Sequence, residues 1–300
     1  MNLIKYRNLF FGLSLAIIIP SVIALFIWGL RLGIDFSGGT LWEMQFTEPK
    51  GEIKAADLSS FLSKEGADVS SVASTSANSF MVRMKIADEG KINDLRSKVS
   101  ETYGKNQDLR LNTVGPVISK ELTQKALAAV GISIIAIVAY VTWAFRKIPK
   151  PASSIAFGIC TIVALVHDVV VVVGIFAILG HFFQIEVDSL FITALLTVIG
   201  FSVHDTIVVF DRIRENLRKY SDFAFEEVVN HSLVQTLGRS LSTSLTAVFV
   251  LVALFLFGGE SIKTFVLALL IGIISGTYSS IFNAAPLLVV WQKLKLKRTK

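Results

Sequence analysis

Five ionisable residues lie inside otherwise apolar stretches of this 300-residue sequence. They form two His-Asp pairs and one lone arginine, namely His167 with Asp168, His204 with Asp205, and Arg239. Burial in a low-dielectric environment favours the neutral form of a carboxyl, whereas a nearby cation favours its charged form. A carboxyl balanced between the two can bind and release a proton when the cation or water moves. The pattern predicts a proton pathway made of these five residues.

The same residues also have a structural interpretation. A buried Asp–Arg pair can hold two helices together without moving any proton, and a histidine can serve packing or hydrogen bonding alone. Adjacent residues of a helix point about 100° apart, so His204 need not share the cavity of Asp205. An Asp205→Asn variant that kept full activity would favour this structural interpretation.

The surrounding composition indicates an integral membrane protein. Apolar residues make up 53% of the chain and charged residues only 17%, a more apolar balance than that of typical soluble domains. Six stretches are long enough for a helix of about 20 residues to cross a bilayer. They are 9–30, 126–145, 155–179, 189–210, 233–257 and 264–291. This excludes a soluble enzyme with a single core.

The charges concentrate in one segment between the first two spans. Residues 31–125 hold 13 Lys or Arg and 13 Asp or Glu, half of all the charges in the chain. We therefore expect three parts. They are a first transmembrane helix at 1–30, a water-facing domain at 31–125, and a five-helix transmembrane bundle with a C-terminal tail at 126–300.

The pattern within the water-facing segment predicts a small α+β domain. The predicted strands are 41–46, 68–75, 79–85 and 108–114, and the predicted helices are 54–65 and 90–103. The order β-α-β-β-α-β is that of the split βαβ, or ferredoxin-like, plan. The segment contains no histidine, and we expect a binding or spacer module rather than an enzyme.

Basic residues set the expected orientation. Fifteen Lys or Arg residues fall on one side of the spans, in the N-terminus, the loops after spans two and four, and the tail. The short loops on the other side, 180–188 and 258–263, hold only Lys263. By the positive-inside rule, both termini are cytoplasmic and the water-facing domain lies outside the cytoplasm. The charged loop 211–232 is predicted to form an amphipathic helix on the cytoplasmic face.

The expected depths bring two of the charges to one level in the membrane. Asp205 lies five residues before the end of span four, about 7.5 Å from that end. Arg239 lies about 9 Å from the same side in the antiparallel span five. The two opposite charges can therefore pair if the helices are neighbours. Asp168 lies about 20 Å deep, farther from the cytoplasm.

Other kinds of site find little support in the sequence. The single cysteine, Cys160, excludes an internal disulfide framework and a Cys-cluster metal site. The glycines of 33–40 follow a membrane span and precede a strand, which is the wrong context for a phosphate loop. We expect no cofactor and no metal. A stripe of small residues in span six predicts close packing of another helix, within the chain rather than between subunits. It consists of Ala268, Gly272, Gly276, Ser280 and Ala284.

Several motifs, in this order, resemble the SecF family of bacterial protein export, whose members are built like one half of an RND-superfamily transporter. They are GIDFSGGT at 33–40, VGPVIS at 114–119, LVHDVVVVVG at 165–174, GFSVHDTIVVFDRIREN at 200–216 and RSLSTS from Arg239. The resemblance covers nearly the whole chain. The sequence departs from the family pattern at Phe201 and His204, where tyrosine and asparagine are expected.

The resemblance implies an accessory subunit of the Sec protein translocase in the cytoplasmic membrane of a bacterium, without a catalytic site. Together with SecD, such a subunit uses the proton motive force to complete the translocation of preproteins after the ATP-driven step. The implied partners are SecD, the SecYEG channel and the translocating preprotein, with YajC as a further candidate. The family's proton pathway corresponds to Asp205 and Arg239, and Asp168 matches the acidic position of the His-Asp motif.

Two other functions compete with this one. An RND-type exporter of small molecules or lipids usually has two six-span halves and large external domains, which this chain lacks. A structural scaffold would use the buried charges only to hold helices together. The coupling ion also stays open, because carboxylates and hydroxyls such as those of Ser202 and Thr206 can hold Na⁺ as well.

Overall fold

A computed structural model describes residues 1–76, 78–85, 88–146, 148–149 and 152–298. Three of the basic residues counted for the orientation, Lys147, Lys150 and Lys300, lie outside the described residues. The chain divides into two compact units. One consists of Met1–Arg31 with Leu127–Lys300, and the other of Leu32–Ala126.

Along the chain, one helix is followed by a segment of short helices and strands, and then by a long helical segment. The helices are α1 (Arg7–Ile27), α2 (Ile34–Ser37), α3 (Ala55–Lys64), α4 (Glu89–Tyr103), α5 (Pro116–Ala144), α6 (Ser154–Phe183), α7 (Ser189–Lys219), α8 (Phe225–Phe257), α9 (Glu260–Ser279) and α10 (Ala285–Arg298). The strands are β1 (Gly39–Pro49), β2 (Val69–Ser76), β3 (Ser79–Met84) and β4 (Gly104–Val114). A π-helical turn, Ser280–Ala284, joins α9 to α10.

All six predicted spans are confirmed as helices that are long and apolar enough to cross a membrane. Over the described part of the chain these stretches are Ile4–Ile27, Pro116–Ala144, Ser154–Phe183, Ser189–Lys219, Phe225–Phe257 and Ser261–Lys297. The last one combines α9, the π turn and α10. The chain therefore has the architecture of a multi-pass membrane protein.

Helices α6 and α7 are delimited by signals in the local sequence. The side chain of Ser153 accepts a hydrogen bond from the amide of Ala156 at 3.2 Å, and Asp188 accepts one from Phe191 at 3.0 Å. Such caps satisfy amide groups that have no partner inside the helix. Helix α6 ends at Gln184, whose φ of 58° is left-handed and stops the helix. The short connection that results makes the two helices antiparallel neighbours.

The predicted amphipathic helix at 211–232 is wrong. Helix α7 continues to Lys219 and α8 begins at Phe225, so a short turn interrupts that segment. Asn216 on α7 donates a hydrogen bond to the hydroxyl of Ser232 on α8 at 2.9 Å, and both side chains are buried. This buried polar contact joins α7 and α8 beyond their apolar parts.

The small-residue stripe of the last span packs inside the bundle, as predicted. A Cβ atom at Gly272 would overlap the side chain of Val198 on α7, and one at Gly276 would lie 3.0 Å from the Cβ of Ser202. Glycine at these two positions lets α9 approach α7 closely. The internal contact is therefore confirmed, and it places α9 against the helix that carries Asp205.

The second unit is an antiparallel sheet with the strand order β2-β3-β1-β4. In the chain, α3 connects β1 to β2 and α4 connects β3 to β4. This is the predicted βαββαβ, ferredoxin-like plan, and it is confirmed. The fourth strand begins at Gly104, earlier than predicted. Gly104 has a φ of 104° and lies directly against the carbonyl of Glu48, where a Cβ would overlap.

One face of the sheet is covered by the two longer helices of the unit. Trp42, Met44 and Phe46 alternate along β1 and are buried, as expected for a strand with one face in a core. Their cluster contains side chains from both helices, namely Leu58, Leu62, Ile92, Leu95 and Val99. This core makes the unit a self-contained α+β domain.

Candidate functional site

Asp168 is the most completely bonded acid of the helical bundle. Its side chain is fully buried on α6. Its carboxylate accepts hydrogen bonds from Ser202 at 2.5 Å, Ser275 at 2.8 Å and Ser279 at 2.6 Å. The Nδ1 atom of His167 lies 2.9 Å from Oδ1. An ionised carboxylate offers about four acceptor positions, and four partners occupy them here. Asp168 thus holds together α6, α7 and α9.

Asp205 is buried but has far fewer bonds. It lies on α7 with 6% of its surface exposed, and the hydroxyl of Ser280 donates to its Oδ2 at 3.0 Å. Ser240 of α8 lies beside it, and the buried hydroxyl of Ser240 makes no hydrogen bond to any described residue. A carboxyl with free acceptor positions in a membrane helix is the one able to gain water or a proton. Of the two acids, Asp205 therefore has the chemistry of an exchangeable site.

Four consecutive residues of α9 and the π turn connect the bundle around these acids. Thr277 bonds to Ser244 of α8 at 2.6 Å, and Tyr278 donates to the carbonyl of Phe10 on α1 at 2.7 Å. The next two residues, Ser279 and Ser280, bond to the acids on α6 and α7. From the sequence, only Ser280 is singled out, and only as a small residue. The available signal was the run of four polar residues, TYSS, inside an apolar span.

His167 has one satisfied and one unsatisfied ring nitrogen. Its Nδ1 faces Asp168, whereas its buried Nε2 makes no hydrogen bond to any described residue. The ring is inclined by 29° to that of Tyr278, with centroids 6.3 Å apart. It also lines a cleft of about 360 Å³ whose walls are mostly apolar, with Ser14 and Asn283 as the other polar residues. His167 thus contacts Asp168, the acid of its own His-Asp motif.

Arg239 and His204 point away from the two acids. Both side chains are exposed on the surface of this chain, and none of the ion pairs among the described residues joins Arg239 to Asp205. Adjacent helical residues point about 100° apart, and on α8 it is Ser240, not Arg239, that is buried. The anticipated Asp205–Arg239 pair is therefore not formed within this chain.

The exposed charges belong to polar rows on α7 and α8. On α7 the row consists of Thr193, Thr197, Gly200 and His204, and on α8 of Arg239, Ser242, Thr243 and Thr246. Spacings of three and four residues keep each row on one helix face. Ionisable groups at membrane depth almost always face a protein interior or a water-filled cavity. On the described part of the chain these rows are uncovered, so they are candidates for contact with a partner or with a water-filled cavity.

Charged residues also join the two ends of the chain. Glu226, at the start of α8, accepts from Arg7 at 2.8 Å and pairs with Lys293 of α10. Asn230 accepts from the amide of Leu3 at 2.7 Å. The N-terminus, the start of α8 and the end of α10 consequently lie at the same end of the helical unit.

Comparisons with known proteins agree on one family. The family model "Protein export membrane protein SecD/SecF, C-terminal" matches residues 94–294, and "SecD/SecF GG Motif" matches residues 23–50. The protein translocase subunit SecF of Thermobaculum terrenum is 48% identical over 305 residues, covering 97% of this chain and 94% of that protein. The SecF of Anaerolinea thermophila is 44% identical over 298 residues, with the same coverage of 97% and 94%.

Solved structures show the same likeness. A crystal structure of SecDF, a translocon-associated membrane protein from Thermus thermophilus, superposes with a TM-score of 0.85 at 32% identity over 98% of this chain. A structure of SecDF in a super-membrane-facing form gives a TM-score of 0.71 at 31% identity over the whole chain. The match covers 39% and 40% of those two SecDF chains, so this chain corresponds to about two fifths of them.

Proposed function

Since this chain belongs to the SecD/SecF family of protein-export membrane proteins, we propose that it is an accessory subunit of the Sec protein translocase. In this proposal it acts with SecD and uses the proton motive force to complete preprotein translocation across the cytoplasmic membrane after the ATP-driven step. It is a transport subunit and not an enzyme. The observation that carries the proton coupling is Asp205, a buried acid of α7 that accepts a hydrogen bond from Ser280 and lies beside Ser240, whereas Asp168 on α6 has four polar partners.

The energy of one proton is sufficient for such a role. Moving one elementary charge through 100 mV is worth about 2.3 kcal/mol, and a tenfold bias between two states requires about 1.4 kcal/mol. A proton can exert this bias only where it changes a contact that differs between the states. The bond from Ser280 to Asp205 is such a contact, because a protonated carboxyl can donate where the carboxylate only accepts.

The exposed polar rows support a SecD partner. Arg239 and His204 are costly to leave in lipid, and the match to SecDF leaves about three fifths of that chain without a counterpart here. We propose that the helices of SecD cover these rows and bring Arg239 into the proton pathway together with Asp205, Asp168, His204 and His167. The further partners are the SecYEG channel, the preprotein and YajC.

The orientation and domain organisation complete the proposal. The contact of Arg7, Glu226 and Lys293 supports a common side for both termini, and the basic loops support the cytoplasmic side. In this arrangement 1–30 forms the first transmembrane helix, 31–125 the extracytoplasmic domain, and 126–300 the five-helix bundle with a cytoplasmic tail. An exporter of small molecules is disfavoured, because one ferredoxin-like domain is too small to form an efflux duct.

The test is late-stage preprotein translocation into inverted membrane vesicles, measured with and without an uncoupler. Asp205→Asn and Arg239→Ala are expected to abolish the uncoupler-sensitive part, whereas Asp211→Asn is expected to retain it. Asp211 is the matched control, because it is an acid of the same helix but is exposed and paired with Arg214 at 2.5 Å. If the first two variants stay as uncoupler-sensitive as the unmodified protein, the buried charges are structural.

A further inference from the structure

Two neighbouring serines hold the two buried acids of two different helices. Ser279 donates to Asp168 at 2.6 Å, and Ser280 donates to Asp205 at 3.0 Å. Both serines are fully buried. Because successive helical residues diverge by about 100°, one short segment can reach both acids only where α6 and α7 pack against the same turn. A single peptide bond therefore separates the groups that bind the two carboxyls.

This serine pair lies where the helix changes its hydrogen-bonding pattern. Ser279 is the last residue of α9, and Ser280 is the first residue of the π turn. Isolated π turns inside helices are rare and occur frequently at functional sites. The backbone changes here from α-helical to π-helical hydrogen bonding. A small movement of either serine can therefore be accommodated within this turn.

Each serine hydroxyl has two acceptors within reach but only one proton to donate. Ser279 lies 2.6 Å from Asp168 and 3.2 Å from the carbonyl of Gly276. Ser280 lies 3.0 Å from Asp205 and 3.1 Å from the carbonyl of Thr277. A hydroxyl can therefore donate to an ionised carboxylate, or turn to its own helix and accept from a protonated carboxyl. In both arrangements the serine hydroxyl and the carboxyl keep a hydrogen bond to each other.

A second contact links Asp168 to helix α7, which carries Asp205. Ser202 on α7, three residues before Asp205, donates to Asp168 at 2.5 Å. The packing is tight here, because a Cβ at Gly276 would lie 3.0 Å from the Cβ of Ser202 and 3.6 Å from Asp168 Oδ2. Direct hydrogen bonds, rather than a water-filled space, thus connect Asp168 to the helix that carries Asp205.

We propose that Ser279 and Ser280 are positioning residues that couple the proton occupancy of Asp168 to that of Asp205. A proton on Asp205 turns the hydroxyl of Ser280 towards its own helix. The shared peptide then alters the bond from Ser279 to Asp168, and so the proton affinity of that acid. The proposal rests on the proposed function only in taking Asp205 as the proton carrier.

The other ionisable groups around the acids leave this route intact. Among the described residues, the packed helices carry His167, Cys160 and His181 on α6, His204 on α7, Arg239 on α8 and Tyr278 on α9. Further ionisable groups lie towards the helix ends, from Asp211 to Lys219 on α7, at Glu226, Glu227 and His231 on α8, at Lys263 on α9, and at Arg7, Lys293, Lys295 and Lys297 on α1 and α10. Of these, only His167 bonds to either acid. Arg7 and Lys293 are held by Glu226 at one end of the unit.

The test is an infrared titration of the full-length chain purified with its natural partner in lipid nanodiscs. The carbonyl band of protonated Asp168 is assigned by its loss in Asp168→Asn. Asp205→Asn is expected to shift the titration midpoint of this band by about one pH unit, the size that marks coupled sites. In Ser279→Ala or Ser280→Ala backgrounds the same substitution is expected to cause less than half of that shift.

Two controls make the result specific. Ser244→Ala removes a hydroxyl that bonds to Thr277 but to neither acid, and it should leave the full shift. Ser280→Thr keeps a hydroxyl and should restore it. A direct charge interaction between the acids would survive both alanine substitutions, and that outcome, or the absence of a shift in the unmodified protein, overturns the proposal. The titration needs no export assay, so coupled acids with uncoupler-insensitive export would contradict only the proposed function.

Discussion

Two aspartates of the same membrane bundle differ in what surrounds them. Among the described residues, Asp168 has four polar partners and no exposed surface, whereas Asp205 accepts a hydrogen bond from Ser280, lies beside Ser240 and has a small exposed fraction. A buried acid with all acceptor positions filled contributes strongly to holding its helices together. An acid with free positions can exchange a proton at a small structural cost. The two His-Asp motifs, alike in sequence, thus have different surroundings.

This difference predicts unequal losses of stability. Asp168→Asn replaces a carboxylate oxygen that accepts hydrogen bonds by an NH2 donor and removes the bonds to a charged group, at a cost of about 1–3 kcal/mol. Asp205→Asn disturbs one bond and should cost less than half as much. Thermal unfolding of the purified variants, followed by tryptophan fluorescence, measures both. Equal destabilisation by the two substitutions would contradict the assigned difference.

At the scale of elements, the approach of α9 to α7 decides the geometry of the site. Gly272 and Gly276 face Val198 and Ser202, with no room for larger side chains. Only this close packing allows serines of α9 and the π turn to reach acids on α6 and α7. The small-residue stripe is thus a condition for the polar network and not a separate feature.

Substitution of Gly272 should therefore damage the network through packing. In Gly272→Ala the new methyl group overlaps Val198, and overpacking of this kind typically costs about 1–3 kcal/mol. Gly131→Ala on α5 is the matched control, because nothing lies within 4 Å of its Cβ position. Thermal unfolding of both variants compares them. A loss of stability in Gly131→Ala as large as in Gly272→Ala would refute the packing argument.

At the scale of the whole molecule, the helical unit has one surface that does not suit lipid. The rows containing His204 and Arg239 place polar and charged groups at membrane depth, whereas α5 exposes mostly apolar side chains such as Ile132 and Ile135. Polar rows suit a protein partner or a water-filled cavity, whereas apolar faces suit acyl chains. We therefore expect the polar rows of α7 and α8 to face a partner and the apolar face of α5 to face lipid.

Bulky substitutions should separate these two sides. Thr243→Trp, next to Arg239 on the exposed row of α8, is expected to reduce co-purification with SecD at least severalfold. Ile135→Trp, on the apolar face of α5, should leave co-purification unchanged. Pull-down from native membranes with equal expression provides the comparison. Unchanged recovery of SecD with Thr243→Trp would show that the row faces something else.

The proposed orientation of the chain in the membrane can be tested on intact cells. Thr75 in β2 and Ser221 in the turn between α7 and α8 are both exposed, whereas the native Cys160 is buried. In a background with Cys160→Ala, an impermeant thiol reagent should label Thr75→Cys from outside and leave Ser221→Cys unlabelled until the cells are opened. Labelling of Ser221→Cys from outside would overturn the placement of the termini in the cytoplasm.

Local patterns were sufficient for the elements of both units. Apolar runs of membrane length predicted all six spans, and alternation with turn residues predicted the βαββαβ order, because both depend on side chains near in sequence. The sequence also singled out the two acids, since a charge in an apolar span is conspicuous. The motifs in order pointed to the family. The extent of β4 and the turn between α7 and α8 were missed, because contacts distant in sequence determine them.

Only the tertiary structure decided which residues meet. Depth along two spans suggested a contact of Asp205 with Arg239, but depth says nothing about the direction in which a side chain points around its helix. Packing of α9 on α7 turned Ser280 towards Asp205, and Arg239 remained on the surface. The serines that bind Asp168 come from positions 34 to 111 residues away, and a distance of that kind leaves no local pattern. The sequence by itself thus determined the helices and their charges, and the folded bundle decided their partners.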